Sequence, residues 1–190
     1  MLSVNFIFSR DFMDLLLLLF SALWYILPAY VANAVPCILG GGKPVDFGKN
    51  FFDGNRIIGN GVTYRGTFFG ILFGIITGIL QHFIVILYMG PKSVFNYGLT
   101  GYIILSFLLA TGALFGDMLG SFIKRRFNLN QGQSAPLLDQ ITFIIFALLF
   151  AYSLYPVPAN IIVLLLVISP IIHFSSNIIA YKLHLKKVWW

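Results

Sequence analysis

The chain contains no glutamate, and six aspartates supply all of its acidic side chains. Charged residues make up 9% of its 190 positions, where a soluble domain carries roughly a quarter. Cys37 is the single cysteine, which excludes an intramolecular disulfide and a cysteine-based metal centre. The three histidines, His82, His173 and His184, form no His/Cys cluster of the kind zinc needs. No spacing among them supports a Ser–His–Asp arrangement. The pattern G-x-x-x-x-G-K-[ST] is also absent, so there is no Walker A loop.

What is present is apolar. Hydrophobic residues make up 59% of the chain and mean hydropathy is +0.91. This predicts an all-α integral membrane protein with a single membrane domain spanning residues 1–190. The net charge of +6 reads first as the cytoplasmic Lys/Arg excess of membrane proteins. Attraction of an acidic substrate is a second contribution, and no nucleic-acid partner is expected.

Five apolar segments approach the ~20 residues needed to cross ~30 Å of hydrocarbon. They are residues 12–32, 67–89, 99–122, 137–155 and 160–181. Residues 33–66 and 123–136 are the two long loops between them on one side. Ala32-Asn33-Ala34 has the look of a signal cleavage site. The preceding apolar run is long enough to span, however, and follows Asp11 and Asp14 rather than a basic cluster, so an uncleaved first helix is expected. Pro170 is expected to kink the last helix. Lys43, Lys49, Arg56, Arg65, Lys124, Arg125, Arg126, Lys182, Lys186 and Lys187 fall on one side, and only Arg10 and Lys92 on the other. The positive-inside rule then places the N-terminus outside and the C-terminus inside a multi-pass cell membrane protein.

The densest chemistry lies between Gly116 and Asp139. Asp117 sits within an apolar segment, where an ionised side chain costs at least ~2.5–3.5 kcal/mol. On a helix, Asp117, Ser121 and Lys124 share one face. Lys124-Arg125-Arg126 closes the segment, and Asp139 opens the next one after Pro136. Carboxylates beside cations predict a membrane-boundary site for Mg²⁺ with phosphates. The 33–66 loop adds Asp46, Asp53, Gly40-Gly41-Gly42-Lys43 and Thr63-Tyr64-Arg65. The last of these leads into a helix N-terminus, which favours anions. Glycines recur at every fourth position, at 66, 70, 74 and 78 and again at 112, 116 and 120. Such stripes pack helices closely, within one chain or between two copies in a homodimer.

Several motifs together carry a family resemblance. Gly116–Arg126 with Ser134–Gln140, Pro44–Lys49, Asp53–Gly59 and Val62–Gly66 resemble the archaeal CDP-archaeol synthases, relatives of the CDP-diacylglycerol synthases. Two family positions differ: Thr142 stands where those relatives carry a second aspartate, and Val62 replaces a lysine. The resemblance covers essentially the whole chain. It implies transfer of CMP from CTP to 2,3-di-O-geranylgeranylglyceryl phosphate, within membrane lipids and with Mg²⁺ as cofactor. It implies Asp117, Lys124 and Asp139 at the reacting centre, and Asp117 and Asp139 on Mg²⁺ with Asp46 or Asp53 as further ligands. Lys43, Arg65, Arg125 and Arg126 join Lys124 around the triphosphate, with hydrogen bonds from Ser121 and Thr63. The competing reading is a small transporter or channel whose intramembrane Asp117 lines an ion path.

Overall fold

A computed structural model describes residues 10–135, 137–185 and 188. Pro136, Lys186, Lys187 and the Arg10 and Asp11 side chains, all used above, lie outside the described residues. The described chain is helical. Helix α1 spans Arg10–Ala34, the single turn α2 Pro36–Leu39, and α3 Tyr64–Ile84 with a π-helical turn Val85–Met89. Helix α4 spans Gly98–Arg126, α5 Leu138–Tyr152 and α6 Ala159–Lys182. Two isolated antiparallel bridges, Pro44 with Thr63 and Asn50 with Arg56, are the β-pairing found among the described residues.

Among the described residues, four helical stretches are long and apolar enough to cross a membrane: Phe12–Leu39, Tyr64–Met89, Gly98–Arg126 and Ala159–Lys182. The fourth apolar segment yields only the 15 residues of α5, about 22 Å at helical rise. Many large apolar side chains on the outer faces are exposed, including Leu149, Val163 and Val167. That is the arrangement expected where lipid is the solvent. Helices α1, α4, α5 and α6 enclose a core around Ile26, Leu109, Phe143, Ile144 and Leu165.

Besides the shorter α5, two boundaries beside the loops differ from the sequence expectation. Tyr64, Arg65 and Gly66 belong to α3 rather than to the loop, because Thr63 caps the helix by accepting from Gly66 N at 3.1 Å. Lys124-Arg125-Arg126 forms the last turn of α4 rather than the following loop. Cations there oppose the negative end of the helix dipole. Asn128, at φ 57°, then closes the helix: Asn128 N donates to Arg125 O at 3.1 Å and Leu129 N to Lys124 O at 3.0 Å. This is a Schellman motif with asparagine in the left-handed position.

The glycine stripes are used inside the chain. A Cβ at Gly74 would meet Ala110 of α4 at 2.6 Å, and one at Gly70 would meet Ala32 O of α1 at 2.8 Å. Cβ atoms at Gly112 and Gly116 would overlap the carbonyls of Phe146 and Thr142, and one at Gly120 would meet Thr142 Oγ1 at 3.0 Å. Helices α4 and α5 therefore run antiparallel in backbone contact. Both stripes are covered, so they are not the face on which a second copy would dock.

Candidate functional site

The α4–α5 contact fixes what faces what. Asp117, Ser121 and Lys124 follow one face of α4, and Gly116 and Gly120 beside them seat Thr142 of α5. One turn before Thr142 lies Asp139. Lys124 Nζ donates to Asp139 Oδ1 at 2.6 Å. The other carboxylate oxygen accepts from Ala135 N at 3.0 Å, while Asp139 N donates back to Ala135 O at 3.0 Å. This reciprocal pair ties the α4–α5 connection to the start of α5. Between them, Leu137 holds φ 68° and ψ −50°, a sparsely populated backbone state for a residue with a Cβ.

These side chains line a polar cavity of about 230 Å³, with Asp117, Gly120, Ser121, Lys124, Gln133, Asp139, Thr142, His173 and Asn177 in its wall. A second cavity of about 460 Å³ adjoins it. Its wall is mostly apolar, with Tyr30, Val31, Ala34 and Ile38 on one side and Phe143, Ile172 and Ala180 on the other. Asp117, His173 and Asn177 belong to both walls. Neither His173 nor Asn177 is among the site residues expected from the sequence. The signal was His173 and Asn177 four residues apart in an apolar helix, where polar groups are costly unless they share a purpose.

The first loop is built around a different carboxylate. Asp46 is buried and accepts from Arg56 Nη2 at 2.7 Å, Gly59 N at 2.8 Å, Ile58 N at 3.0 Å and Gly48 N at 3.0 Å. Burial opposes its ionisation, but the Arg56 guanidinium and the Gly59, Ile58 and Gly48 amides outweigh it and hold its carboxyl well below the usual carboxylate range. Asp53 accepts from Asn55 N at 3.0 Å and lies 3.0 Å from Arg126 Nε. Neither lines the Asp117–Asp139 cavity. Among the described residues no three His, Cys, Asp or Glu side chains converge as a metal cluster. The four aspartates named from the sequence thus divide into a cavity pair and a loop pair.

The cations divide likewise. Lys124 faces the cavity. Arg125 is buried and donates to Ile58 O at 3.1 Å and to Leu129 O. Arg126 donates to Arg56 O at 2.6 Å, with its guanidinium 4.8 Å from the Phe51 ring and 4.7 Å from that of Phe122. Both arginines latch the first loop onto α4 in this structure. Arg65 is exposed, its guanidinium 5.9 Å from the Phe69 ring, and Lys43 is exposed in the loop, its carbonyl accepting from Tyr64 N at 3.1 Å. Thr63 is buried as the cap of α3.

Known proteins agree with the resemblance. A model of the CarS-like CDP-archaeol synthase family matches residues 13–190. The CDP-archaeol synthase of Methanococcus maripaludis strain C5 is 89% identical over 178 residues, covering 94% of this chain and 100% of that one. That of Methanocaldococcus jannaschii is 53% identical over 173 residues, covering 91% of this chain and 98% of the relative. A solved structure described as an intramembrane enzyme for archaeal membrane lipids biosynthesis superposes with a TM-score of 0.72 at 36% identity, covering 84% of this chain and 94% of that one. The chain belongs to the CDP-archaeol synthase family and is a nucleotidyltransferase of the membrane.

Proposed function

We propose that the polar cavity takes the triphosphate of CTP and that the adjoining apolar cavity takes the chains of an ether-lipid phosphate, 2,3-di-O-geranylgeranylglyceryl phosphate. One observation carries this reading. A wall of carboxylates, a hydroxyl and a lysine opens onto an apolar wall, with Asp117 common to both. A reaction between a water-soluble polyanion and a lipid anion needs that junction.

A lipid phosphate oxygen attacks the α-phosphorus of CTP. The bond from that phosphorus to the β-phosphate breaks, and pyrophosphate leaves with the electron pair. The nucleophile is already an anion, so no strong general base is required, in keeping with a chain that has no glutamate. The catalytic task is positioning and charge stabilisation. Lys124 stands where charge develops on the leaving pyrophosphate, and Ser121, one turn earlier on the same face, donates a hydrogen bond to the triphosphate. For Lys124 to reach that charge it exchanges Asp139 for a phosphate oxygen, which leaves Asp139 to a metal.

The donors fit Mg²⁺. Asp117 and Asp139 are hard oxygen ligands in one cavity, and Mg²⁺ is commonly held by one or two carboxylates plus substrate phosphates. Held by these two carboxylates, Mg²⁺ would supply positive charge to offset phosphate repulsion and the charge on the leaving group. Asp46 and Asp53 act in this reading as organisers of the first loop. Arg125 and Arg126 hold that loop over the α4 end, and Lys43 and Arg65 provide the outer electrostatic approach for the nucleotide.

Five crossings with the N-terminus outside complete the reading. Helix α5 starts beside Lys124, and Tyr155 just beyond its end packs against Tyr97 at the start of α4, ring centroids 5.7 Å apart. The short helix and its exit therefore cover the distance between the two ends of α4. The transporter alternative receives no support: the cavity of about 340 Å³ at the far end, lined by Trp24, Tyr25, Gln81 and Tyr102, shares no residue with the two at the site. The experiment is incorporation of label from α-³²P-CTP into the lipid phosphate by purified protein in liposomes. Mg²⁺-dependent labelled CDP-lipid is the expected product, and ion flux without labelled lipid points to the transporter.

A further inference from the structure

The phosphate of the acceptor lipid is the part of that molecule that must pass from the apolar cavity into the polar one. Three residues line both: Asp117, His173 and Asn177. Asp117 goes to the metal in the function proposed above, and a metal-holding carboxylate has no proton to donate to a phosphate oxygen. The α4–α5 side of the polar cavity also holds Asp139 and Lys124, which the nucleotide and its metal occupy in the function proposed above. Helix α6 differs from both, with no acidic residue anywhere between Ala159 and Lys182.

We infer that His173 and Asn177 form the grip for the acceptor phosphate, making α6 the lipid-side half of the active site. The assignment rests on the cytidylyl-transfer reading. The two residues are four apart on one helix, so they project from one face a turn apart. Their setting is packed rather than loose. The His173 ring lies 5.5 Å from that of buried Phe143. One turn earlier, Ser169 shares a 2.8 Å hydrogen bond with Tyr30 Oη, which fixes this part of α6 against α1. An imidazole N–H and an amide N–H₂ are donors suited to phosphate oxygens. They would hold the attacking phosphate on the α6 side while Lys124 and Ser121 hold the nucleotide on the α4 side. An in-line displacement needs this separation, because nucleophile and leaving group must stand on opposite sides of the phosphorus.

The test is steady-state kinetics in mixed micelles with both substrates varied, on wild-type, His173→Ala, His173→Gln, Asn177→Ala and Asn177→Asp proteins. Binding of a fluorescent CTP analogue is measured on each purified variant. His173→Ala and Asn177→Ala should raise the KM for the lipid phosphate about tenfold or more, as expected for losing a hydrogen bond to a charged group. The KM for CTP and binding of the analogue should stay at wild-type values. His173→Gln should recover part of the loss. Asn177→Asp should be worse than Asn177→Ala despite its closer shape, because a new carboxylate repels the phosphate. A purely structural role for Asn177 predicts the reverse order. The assignment is overturned if both KM values rise together, if neither moves, if the variants lose analogue binding, or if Asn177→Asp outperforms Asn177→Ala. Wild-type protein that puts no label from CTP into lipid refutes the parent reading before any variant is compared, and this assignment with it.

Discussion

Lys124 and Asp139 lie fifteen residues apart in sequence, across the α4–α5 connection, and meet at 2.6 Å. The two are partners in this structure, and each takes a separate partner in the proposed complex. The pair thus keeps a cation and a metal ligand in place without leaving either buried and uncompensated.

Lys124→Ala should therefore weaken CTP use by about ten- to a hundredfold in kcat/KM, the scale of one lost contact to a charged phosphate. Lys182→Ala, at the end of α6, should change it little. A CTP titration at saturating lipid distinguishes them, and equal small effects would return Lys124 to a plain positive-inside role.

The glycine contacts predict a graded series. Gly116→Ala drives a methyl into the Thr142 carbonyl of α5, a backbone atom that cannot turn aside. Gly120→Ala meets the Thr142 hydroxyl at 3.0 Å, a side chain able to rotate. Gly116→Ala should lower the melting temperature in detergent more, and should cost activity as well, because α5 carries Asp139. The core cost is on the order of 1–3 kcal/mol. Equal thermal shifts would show that α4 and α5 do not touch there.

Asp46 should govern loop stability rather than catalysis. Asp46 is buried but its partner Arg56 is only half-buried, so losing these charged hydrogen bonds costs about 1.5–3 kcal/mol, and Asp46→Asn should destabilise the first loop, read as faster proteolysis between Lys43 and Arg56. The pH dependence follows in sign. The folded carboxyl lies below its ordinary 3.8, so its ionised form favours folding. That contribution is complete above the ordinary value and is lost as pH falls below it, toward the lowered folded value. Acid melting curves of wild type should therefore converge with those of Asp46→Asn only below about pH 4.

Orientation is testable with single cysteines in a Cys37→Ser background. Lys49→Cys, in the exposed first loop, should react with an impermeant maleimide only after the membrane is opened. Val94→Cys, 87% exposed at the other end, should react in sealed cells. The opposite pattern inverts the chain and moves the cavity to the outer face.

The long helices were legible because uninterrupted apolar runs admit no other solution in lipid. The face shared by Asp117, Ser121 and Lys124 was legible because helical spacing is local. Helix ends were not. A basic run suits a loop or a last turn equally, and only the left-handed turn at Asn128 decides between them. The role of Asp46 was hidden because its donors gather through loop pairing rather than periodicity. Arg126 was hidden likewise, since Phe51 and Phe122, whose rings flank it, lie far apart in sequence. His173 and Asn177 share a helix face by spacing alone, but that this face lines both cavities depends on how α6 packs against the other helices.

Asp117, in the wall shared by the two cavities, would hold Mg²⁺ in the proposed function. Asp117→Asn keeps the shape and removes the charge that Mg²⁺ favours. The decisive measurement is Mg²⁺-dependent transfer of label from α-³²P-CTP into the ether-lipid phosphate, in liposomes containing wild type, Asp117→Asn, or the exposed control Asp14→Asn. Loss of transfer by about a hundredfold or more in Asp117→Asn, with Asp14→Asn at wild-type rate and both variants eluting as folded protein, is the predicted result. Undiminished transfer by Asp117→Asn at the same Mg²⁺ concentration would contradict the account.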